Sequence, residues 1–336
     1  MSGGIPAIDI APFLDGSGKQ AVALKVAEAC ERIGFLVVSG HGIEPGVFER
    51  AFERSRAFFD RPRADKDRCH PRGPSRQRGF HGFATRGLAY TLGEETPPDL
   101  RETYFLGPVD DHRGHFADLP EAADAYAPNI YPDRPAGAAE ALIAIYRAYE
   151  RLSADMLRIF AVALRQPEDY FARFVTRHFS ILSSHHYPPL GEPPKPGQLR
   201  TGAHTDYGAL TILAMTEADG ALEVRMPDGA WHPVRPASGA LVVNLGDMMA
   251  RWTNGRWTST LHRVANPRDL DSARSRRQTI GYFMHPDYDA PIAAIPSCVP
   301  KGEAPRFPTI SAGEHIAMKI AASHDGAAVA RDAGQS

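Results

Sequence analysis

From Phe179 onward, short apolar runs alternate with turn-forming residues at intervals of roughly ten positions. The runs include SILSSHHY, ALTILAM, LEVRM, ALVVNLGD, STLHRVA and RQTIGYFMHP, and most of them contain β-branched residues. Short strands at this spacing are typical of an antiparallel sandwich or barrel rather than of a parallel α/β sheet. We therefore predict a β-barrel core that begins near Arg177.

The first half of the chain predicts helices around this core. Apolar positions at helical spacing indicate helices from about Lys19 to Ile33, from Pro45 through FERAFERSRAFF, and from about Ala138 to Leu164. IPAIDI and FLVVSGHGI have the composition of short strands. The basic, Gly- and Pro-rich stretch from Arg61 to Gly82 is expected to be a solvated loop or a lid over a site.

Three regions are expected from these patterns. Residues 1–176 form an N-terminal helical region that includes the long helix, and residues 177–290 form the β-barrel. Residues 291–336 form an extension that packs on the barrel and ends in a frayed Ala-, Gly- and Ser-rich tail.

Composition excludes several functional classes. With 336 residues, 43% of them hydrophobic, the chain can bury a large core. A net charge of -2 provides no strong positive field for nucleic acid or an anionic membrane. Three distant cysteines fit neither a disulfide framework nor a thiolate zinc site. We expect a soluble, cytoplasmic monomer that acts on a small molecule, with no leader peptide and no membrane span.

The stretch HTDYGALTIL places a histidine and a carboxylate two residues apart at the start of a strand. Alternate side chains of an extended chain share a face, so His204 and Asp206 point the same way. His262, in STLHRVANP, is the candidate third ligand from another strand. Two histidines and one carboxylate on one face leave coordination positions open, as non-haem Fe(II) requires. Alone, the same pattern also fits a surface turn followed by a strand.

Longer motifs strengthen the metal interpretation. HTDYGALTIL, VNLGDMMARWTNGRWTSTLHRVANP and RQTIGYFMHPD, in this order, resemble the isopenicillin N synthase-like superfamily of Fe(II)- and 2-oxoglutarate-dependent dioxygenases. IPAIDIAPFL, ACERIGFLVVSGHGI and DLRETYFLGP resemble the N-terminal region of that family. The resemblance extends from about Ile5 to His324. It implies a double-stranded β-helix, or jelly roll, wrapped by N-terminal and flanking helices.

The resemblance also implies roles for individual residues. His204, Asp206 and His262 match the iron ligands. Arg277 and Thr279 match the family's Arg-x-Ser, which binds the distal carboxylate of 2-oxoglutarate, and Tyr187 matches a tyrosine that contacts the same group. His185 stands where the family often has asparagine. It is expected beside the cosubstrate or the metal, whereas His186 is expected on the outer face.

Substrate contacts are predicted less directly. Phe283 and His285 continue the face of Arg277, and the matching positions line the substrate pocket in plant members of the family. Ser183 shares the face of His185. Three arginines in or near the basic loop are candidates for binding a substrate carboxylate or phosphate, or are solvated loop charges: Arg76, Arg78 and Arg86.

The implied reaction uses Fe(II), dioxygen and 2-oxoglutarate, with ascorbate as a possible reductant, and releases succinate and carbon dioxide. Hydroxylation, desaturation and ring closure of a small organic molecule are all compatible with it. One alternative is an Fe(II) oxidase of the same superfamily that uses no 2-oxoglutarate and holds the substrate's own carboxylate with Arg277. A second is a metal-binding protein without turnover.

Overall fold

The computed structural model describes residues 4–72, 77–85, 87, 97–218, 220–270 and 275–321. Its helices lie mostly in the first half of the chain, and residues 312–321 are also helical. The helices are α1 (Ala11–Leu14), α2 (Lys19–Arg32), α3 (Pro45–Phe59), α4 (Arg63–Asp67), α5 (Ala138–Ala163) and α6 (Asp247–Trp252).

The strands of the N-terminal half are β1 (Ala7–Asp9), β2 (Phe35–Ser39), β3 (Gly79–His81) and β4 (Glu102–Leu106). Those of the barrel region are β5 (Ile181–Tyr187), β6 (Thr201–His204), β7 (Leu210–Met215), β8 (Leu222–Arg225), β9 (Trp231–Pro233), β10 (Leu241–Leu245), β11 (His262–Val264) and β12 (Arg277–Met284). A final pair follows, β13 (Pro291–Ile292) and β14 (Ile310–Ser311).

Within the described ranges, two sheets form the barrel. The larger has the strand order β1-β2-β10-β7-β12-β5-β4-β3, and the smaller has the order β6-β11-β8-β9. Apolar side chains of both sheets share one buried cluster, which includes Phe35 of β2, Val242 of β10, Val224 of β8 and Val264 of β11. The crossed strand order and the shared interior are those of the predicted jelly roll.

The outer face of the larger sheet is covered by helices. α5 carries an apolar stripe and packs along α2 and α3. Tyr149 of α5 is fully buried and donates its hydroxyl to the carbonyl oxygen of Ile280 on β12, 3.1 Å away. Because the sheet is covered on both faces, every residue of β5 is buried. The strands that carry the site are therefore held between the barrel interior and the helical layer.

The three long helices agree with the sequence prediction to within a residue or two. The prediction of a loop from Arg61 to Gly82 was wrong in part, because this segment contains α4 and β3. Tertiary contacts override the loop-like composition there: β3 pairs with β4, and the buried Lys66 of α4 forms an ion pair with Glu102. Residues 73–76 and the predicted frayed tail lie outside the described residues.

Candidate metal and cosubstrate site

His204 and His262 face each other across two neighbouring strands. They are direct partners in the antiparallel ladder of β6 and β11, and their ring centroids are 4.3 Å apart. The Nδ1 atom of His204 lies 2.8 Å from the carbonyl oxygen of Gly202, and that of His262 lies 3.1 Å from the carbonyl oxygen of Thr260. A carbonyl oxygen only accepts, so each Nδ1 carries the proton. Each Nε2 therefore keeps its lone pair for a metal.

Asp206 completes the group. Its Oδ2 atom accepts hydrogen bonds from the Thr211 hydroxyl and the Asn244 amide, both at 2.6 Å. Its Oδ1 atom lies 3.7 Å from the Nε2 atoms of both His204 and His262. The three candidate donor atoms all lie within 4.8 Å of one another. Thr211 and Asn244 therefore fix the carboxylate so that one oxygen faces the two imidazoles.

The protonation states of the site suit a divalent cation. Burial, together with the charge of His262, lowers the pKa of His204 below its ordinary value, although Asp206 acts in the opposite direction. Burial alone would raise the pKa of Asp206, but the two histidines and the two hydrogen bonds outweigh it and the pKa is lowered. The neutral imidazole and ionised carboxylate are the forms that bind metal. This donor set fits Fe(II) with open positions for other ligands.

Arg277 is a buried cation at the start of β12. Its side chain is 2% exposed, and its terminal nitrogens donate to the carbonyl oxygen of Gly220 at 2.8 Å and to the Met215 sulfur at 3.3 Å. Among the described residues, its Nε atom has no hydrogen-bond partner and no carboxylate forms an ion pair with it. Burial lowers the pKa of this guanidinium. An unpaired buried guanidinium is costly, so an anionic ligand is the expected partner.

Two further predicted cosubstrate residues lie next to Arg277. Thr279 is two residues along β12, on the same face. Tyr187 is the direct ladder partner of Arg277, and the guanidinium carbon lies 5.9 Å from its ring centroid. The Tyr187 hydroxyl is within 3.1 Å of the hydroxyl of Thr201. Arg277 thus has two hydroxyl-bearing neighbours, Thr279 on its own strand and Tyr187 on the paired strand. Hydroxyl groups and a guanidinium are suited to binding a carboxylate.

His185 lies on β5, two residues before Tyr187. It is the ladder partner of Thr279 on one side and of Thr103 on the other. Its Nδ1 atom is 3.0 Å from the Thr103 hydroxyl and 3.2 Å from a terminal nitrogen of Arg101, and its Nε2 atom is 3.0 Å from the Ser183 hydroxyl. Burial, followed by the charge of Arg101, lowers its pKa well below the ordinary value, so His185 is neutral.

His186 points to the opposite face of β5, as alternation along a strand requires. Its ring stacks on Phe59 of α3 at 5.1 Å, and its Nδ1 atom is 2.8 Å from a carboxylate oxygen of Glu102. His186 therefore belongs to the contact between the sheet and the helices, where it was expected.

Phe283 lies on β12 at the same parity as Arg277, and His285 follows directly after the strand ends. Phe283 is partly exposed and pairs in register with Thr211 of β7. His285 is 7% exposed, packs edge-on against Phe179 at 4.9 Å, and has an Nδ1 atom without a hydrogen-bond partner in the described parts of the chain. Burial lowers the pKa of His285 to about 3.

Arg78 lies in the protein interior rather than on a loop surface. It is 2% exposed and donates to the carbonyl oxygens of Ala125 at 2.8 Å and Ala127 at 3.1 Å. These contacts account for its burial without a substrate. The other two candidates from the same stretch, Arg76 and Arg86, lie outside the described residues.

Sequence reasoning missed the residues that support the ligands. Thr211 lies within HTDYGALTIL, and Asn244 lies within ALVVNLGD, so both were inside motifs that were noted for other reasons. A buried asparagine at an inward position of a strand was the available signal, because such a group needs a partner. Arg101 has no comparable signal, since the chain contains many arginines.

The chain matches two family models. Residues 5–134 match the model described as the non-haem dioxygenase in morphine synthesis N-terminal region, and residues 174–286 match the 2OG-Fe(II) oxygenase superfamily. The second match contains all three candidate ligands and Arg277. The first ends shortly before α5.

Relatives agree over nearly the whole length. The 2-oxoglutarate-Fe(II) type oxidoreductase hxnY of Emericella nidulans is 30% identical over 321 residues, covering 93% of this chain and 88% of its own. Gibberellin 20 oxidase 2 of Oryza sativa is 31% identical over 310 residues, covering 90% of this chain and 73% of its own. Both names describe oxidative enzymes.

Solved structures agree in fold. A full-length protein of Neurospora crassa, crystallised in complex with alpha-KG, superposes with a TM-score of 0.81 at 28% identity, covering 95% of this chain and 96% of that one. A 2OG-Fe(II) oxygenase family protein from Caulobacter crescentus gives 0.81 at 26% identity, with 94% and 98% covered. These findings support the reaction that uses 2-oxoglutarate, not the oxidase alternative. The chain belongs to the 2OG-Fe(II) oxygenase superfamily and is a non-haem Fe(II)- and 2-oxoglutarate-dependent dioxygenase.

Proposed function

We propose that His204, Asp206 and His262 bind Fe(II), and that Arg277, Thr279 and Tyr187 bind the distal carboxylate of 2-oxoglutarate. His185 lies beside the cosubstrate. When bound, the metal supplies the oxidative chemistry, in which 2-oxoglutarate and dioxygen are consumed and a small organic molecule is oxidised with release of succinate and carbon dioxide. The protein positions the reactants and keeps bulk water away.

The observation that carries this proposal is the buried Arg277. Its guanidinium faces the barrel interior on the same strand face as Thr279, with the Tyr187 ring opposite it. No carboxylate among the described residues pairs with it. A dianionic cosubstrate that spans from Arg277 to the metal ligands would neutralise this charge and use the two hydroxyls.

The substrate is a small organic molecule that meets the open side of the metal site. Thymine, present in one of the Neurospora crassa structures, and gibberellin and homoarginine, in the names of relatives, differ widely in polarity. The residues proposed to line the substrate position are Ser183, Phe283 and His285. Arg78 stays a weaker candidate, because its contacts are with backbone carbonyls.

The direct test is an R277Q variant. We expect the anaerobic affinity of the Fe(II)-loaded protein for 2-oxoglutarate to fall by tenfold or more, on the order of the loss of one charge-assisted pair. Slow succinate formation without added substrate, which needs no knowledge of the substrate, should fall in parallel. An unchanged affinity would remove Arg277 from the cosubstrate site.

Within the described residues, none of the helices has the length and hydrophobicity needed to cross a membrane. We propose a monomer in a reducing, cytoplasmic setting, supported by three buried cysteines with free thiols. The division at residues 176 and 290 also stays a proposal, although β1 to β4 join the same sheet as the barrel strands. Light scattering of the purified protein tests the oligomeric state, and limited proteolysis tests the division.

A further inference from the structure

Arg101 is a second cation in this part of the structure, in contact with His185, and sequence reasoning gave it no role. It immediately precedes β4, and its side chain is 12% exposed, comparable with the 10% of His204 and the 9% of His262. One terminal nitrogen donates to the His185 ring at 3.2 Å, and the other lies 3.2 Å from a carboxylate oxygen of Asp99. Arg101 therefore contacts His185 directly.

The position of Arg101 is fixed by contacts with β6. Asp99 accepts a hydrogen bond from the backbone N–H of Gly202 at 2.9 Å, and the carbonyl oxygen of the same Gly202 holds Nδ1 of His204. The backbone N–H of Leu100 donates to the carbonyl oxygen of Leu199 at 3.0 Å. The segment that carries Arg101 is thus attached to the strand that carries a metal ligand.

His185 has no donor to offer a cosubstrate. Arginine only donates, and one terminal nitrogen of Arg101 lies 3.2 Å from Nδ1 and 3.4 Å from Nε2 of His185, so one ring nitrogen accepts from it. The ring N–H of the neutral imidazole then meets a hydroxyl at 3.0 Å in either tautomer, that of Ser183 from Nε2 or that of Thr103 from Nδ1. Where sequences of this family often carry an asparagine, this chain has a histidine whose two ring nitrogens both have hydrogen-bond partners.

We propose that Arg101 binds the metal-proximal carboxylate of 2-oxoglutarate, at the opposite end of the cosubstrate from Arg277. This inference rests on the proposed function and adds a second guanidinium to it. Guanidinium has five N–H donors, and the contacts with Asp99 and His185 leave donors for a carboxylate. His185 is then a positioning residue, because it holds the Arg101 fork rather than the cosubstrate itself.

The test uses two 2-oxo acids and the charge-transfer absorption of the anaerobic Fe(II) protein. 2-Oxoglutarate has both carboxylates, whereas 2-oxobutyrate keeps the metal-binding end and lacks the distal carboxylate. R101Q should weaken the binding of both acids by a similar factor of about tenfold. R277Q should weaken 2-oxoglutarate and leave 2-oxobutyrate almost unchanged. R113Q, at an exposed arginine paired only with Asp111, is the matched control and should bind both acids like the wild type.

Two results for R101Q would contradict the inference. If R101Q binds both acids as tightly as the wild type, Arg101 does not bind the cosubstrate. If R101Q loses affinity only for 2-oxoglutarate, Arg101 contacts the distal carboxylate instead of the metal-proximal one. If R101Q does not fold because Asp99 loses its partner, R101K keeps a charge there but lacks the planar fork. R101K should then bind both acids several-fold more weakly, and wild-type affinity would overturn the inference. A wild-type protein that binds Fe(II) without any absorption band refutes the proposed function itself.

Discussion

His262 lies directly opposite His204 in the ladder of β6 and β11, and this register sets the distance between the two imidazoles. The pairing shifts between His262 and Val264, so the ladder is regular at the ligand and irregular just beyond it. A one-residue slip would turn one imidazole away from the other. The metal site therefore depends on strand pairing between segments that are far apart in sequence.

Gly246 provides a test of how closely the loop after His204 is packed. A Cβ atom at this position would lie 2.1 Å from the carbonyl oxygen of Gly208 and 2.9 Å from that of Asp206. Backbone atoms cannot yield locally, so G246A should displace Asp206 and reduce Co(II) affinity by tenfold or more, on the scale of a lost ligand orientation. Titration with Co(II), followed by its visible absorption, measures the metal affinity of G246A and wild type directly. G229A, at a turn away from the site, separates general strain from the effect on the metal.

Asn244 should matter for the metal although it is not a ligand. N244A leaves Asp206 with Thr211 as its remaining side-chain partner. We expect metal affinity to fall by about 10- to 100-fold, the usual effect of losing an outer-shell hydrogen bond. T258V, which removes an exposed hydroxyl at a long contact, should not change it. Equal metal affinity in N244A and wild type would show that Thr211 alone orients Asp206.

Lys66 and Glu102 form a buried ion pair at 2.7 Å, with side chains 9% and 8% exposed. K66M should lower the free energy of unfolding by about 3–5 kcal/mol, because it leaves a buried carboxylate without its cation. The exposed pair of Arg68 and Asp133 is the matched control, and R68Q should cost no more than about 1 kcal/mol. Urea unfolding of the three proteins measures both values. Similar losses in the two variants would argue against a burial effect.

Acid should destabilise the metal-free protein partly through His285. Burial lowers its pKa to about 3 in the folded state, against an ordinary value of 6.5. The unfolded chain binds this proton more readily than the folded protein does. The contribution of His285 to the free energy of unfolding is therefore fully present above pH 6.5 and is lost as pH falls toward 3. One such group changes the free energy of unfolding by about 1.4 kcal/mol per pH unit in that window. H285N should therefore show a shallower decline in urea unfolding between about pH 6 and about pH 4, and an identical decline would contradict this assignment.

The long helices and the facing of strand residues were predictable because their sequence signals are local. Apolar periodicity places α2, α3 and α5 almost correctly, and alternation assigns His185 and His186 to opposite faces of β5. HTD and an arginine before an apolar strand likewise appear within short windows. His262 was the candidate third ligand from its place on a later strand, and the family resemblance then supported the same residue.

The prediction that HTD begins a strand was wrong, because His204 is the last residue of β6 and Asp206 lies in the loop before β7. Hydrogen bonds from Thr211 and Asn244, rather than strand alternation, hold the Asp206 carboxylate toward the two imidazoles.

The short strand β3 and the environments of individual arginines depend on long-range contacts that no local sequence pattern encodes. β3 is three residues long and exists because it pairs with β4, so its sequence resembles a loop. Arg78 and Arg101 are both arginines with ordinary neighbours in the sequence. Folding places the first against backbone carbonyls and the second beside His185. Composition cannot distinguish these two environments.

The central claim is that one site binds Fe(II) through His204, Asp206 and His262 and 2-oxoglutarate through Arg277. An anaerobic titration of the metal-free protein with Fe(II), followed by 2-oxoglutarate, measures the binding of the metal and of the cosubstrate in a single experiment. The account predicts a saturable visible charge-transfer band that is absent in H204A and needs much more 2-oxoglutarate in R277Q. Iron binding by the wild type with no band at saturating 2-oxoglutarate, or an unchanged band in H204A, would contradict it.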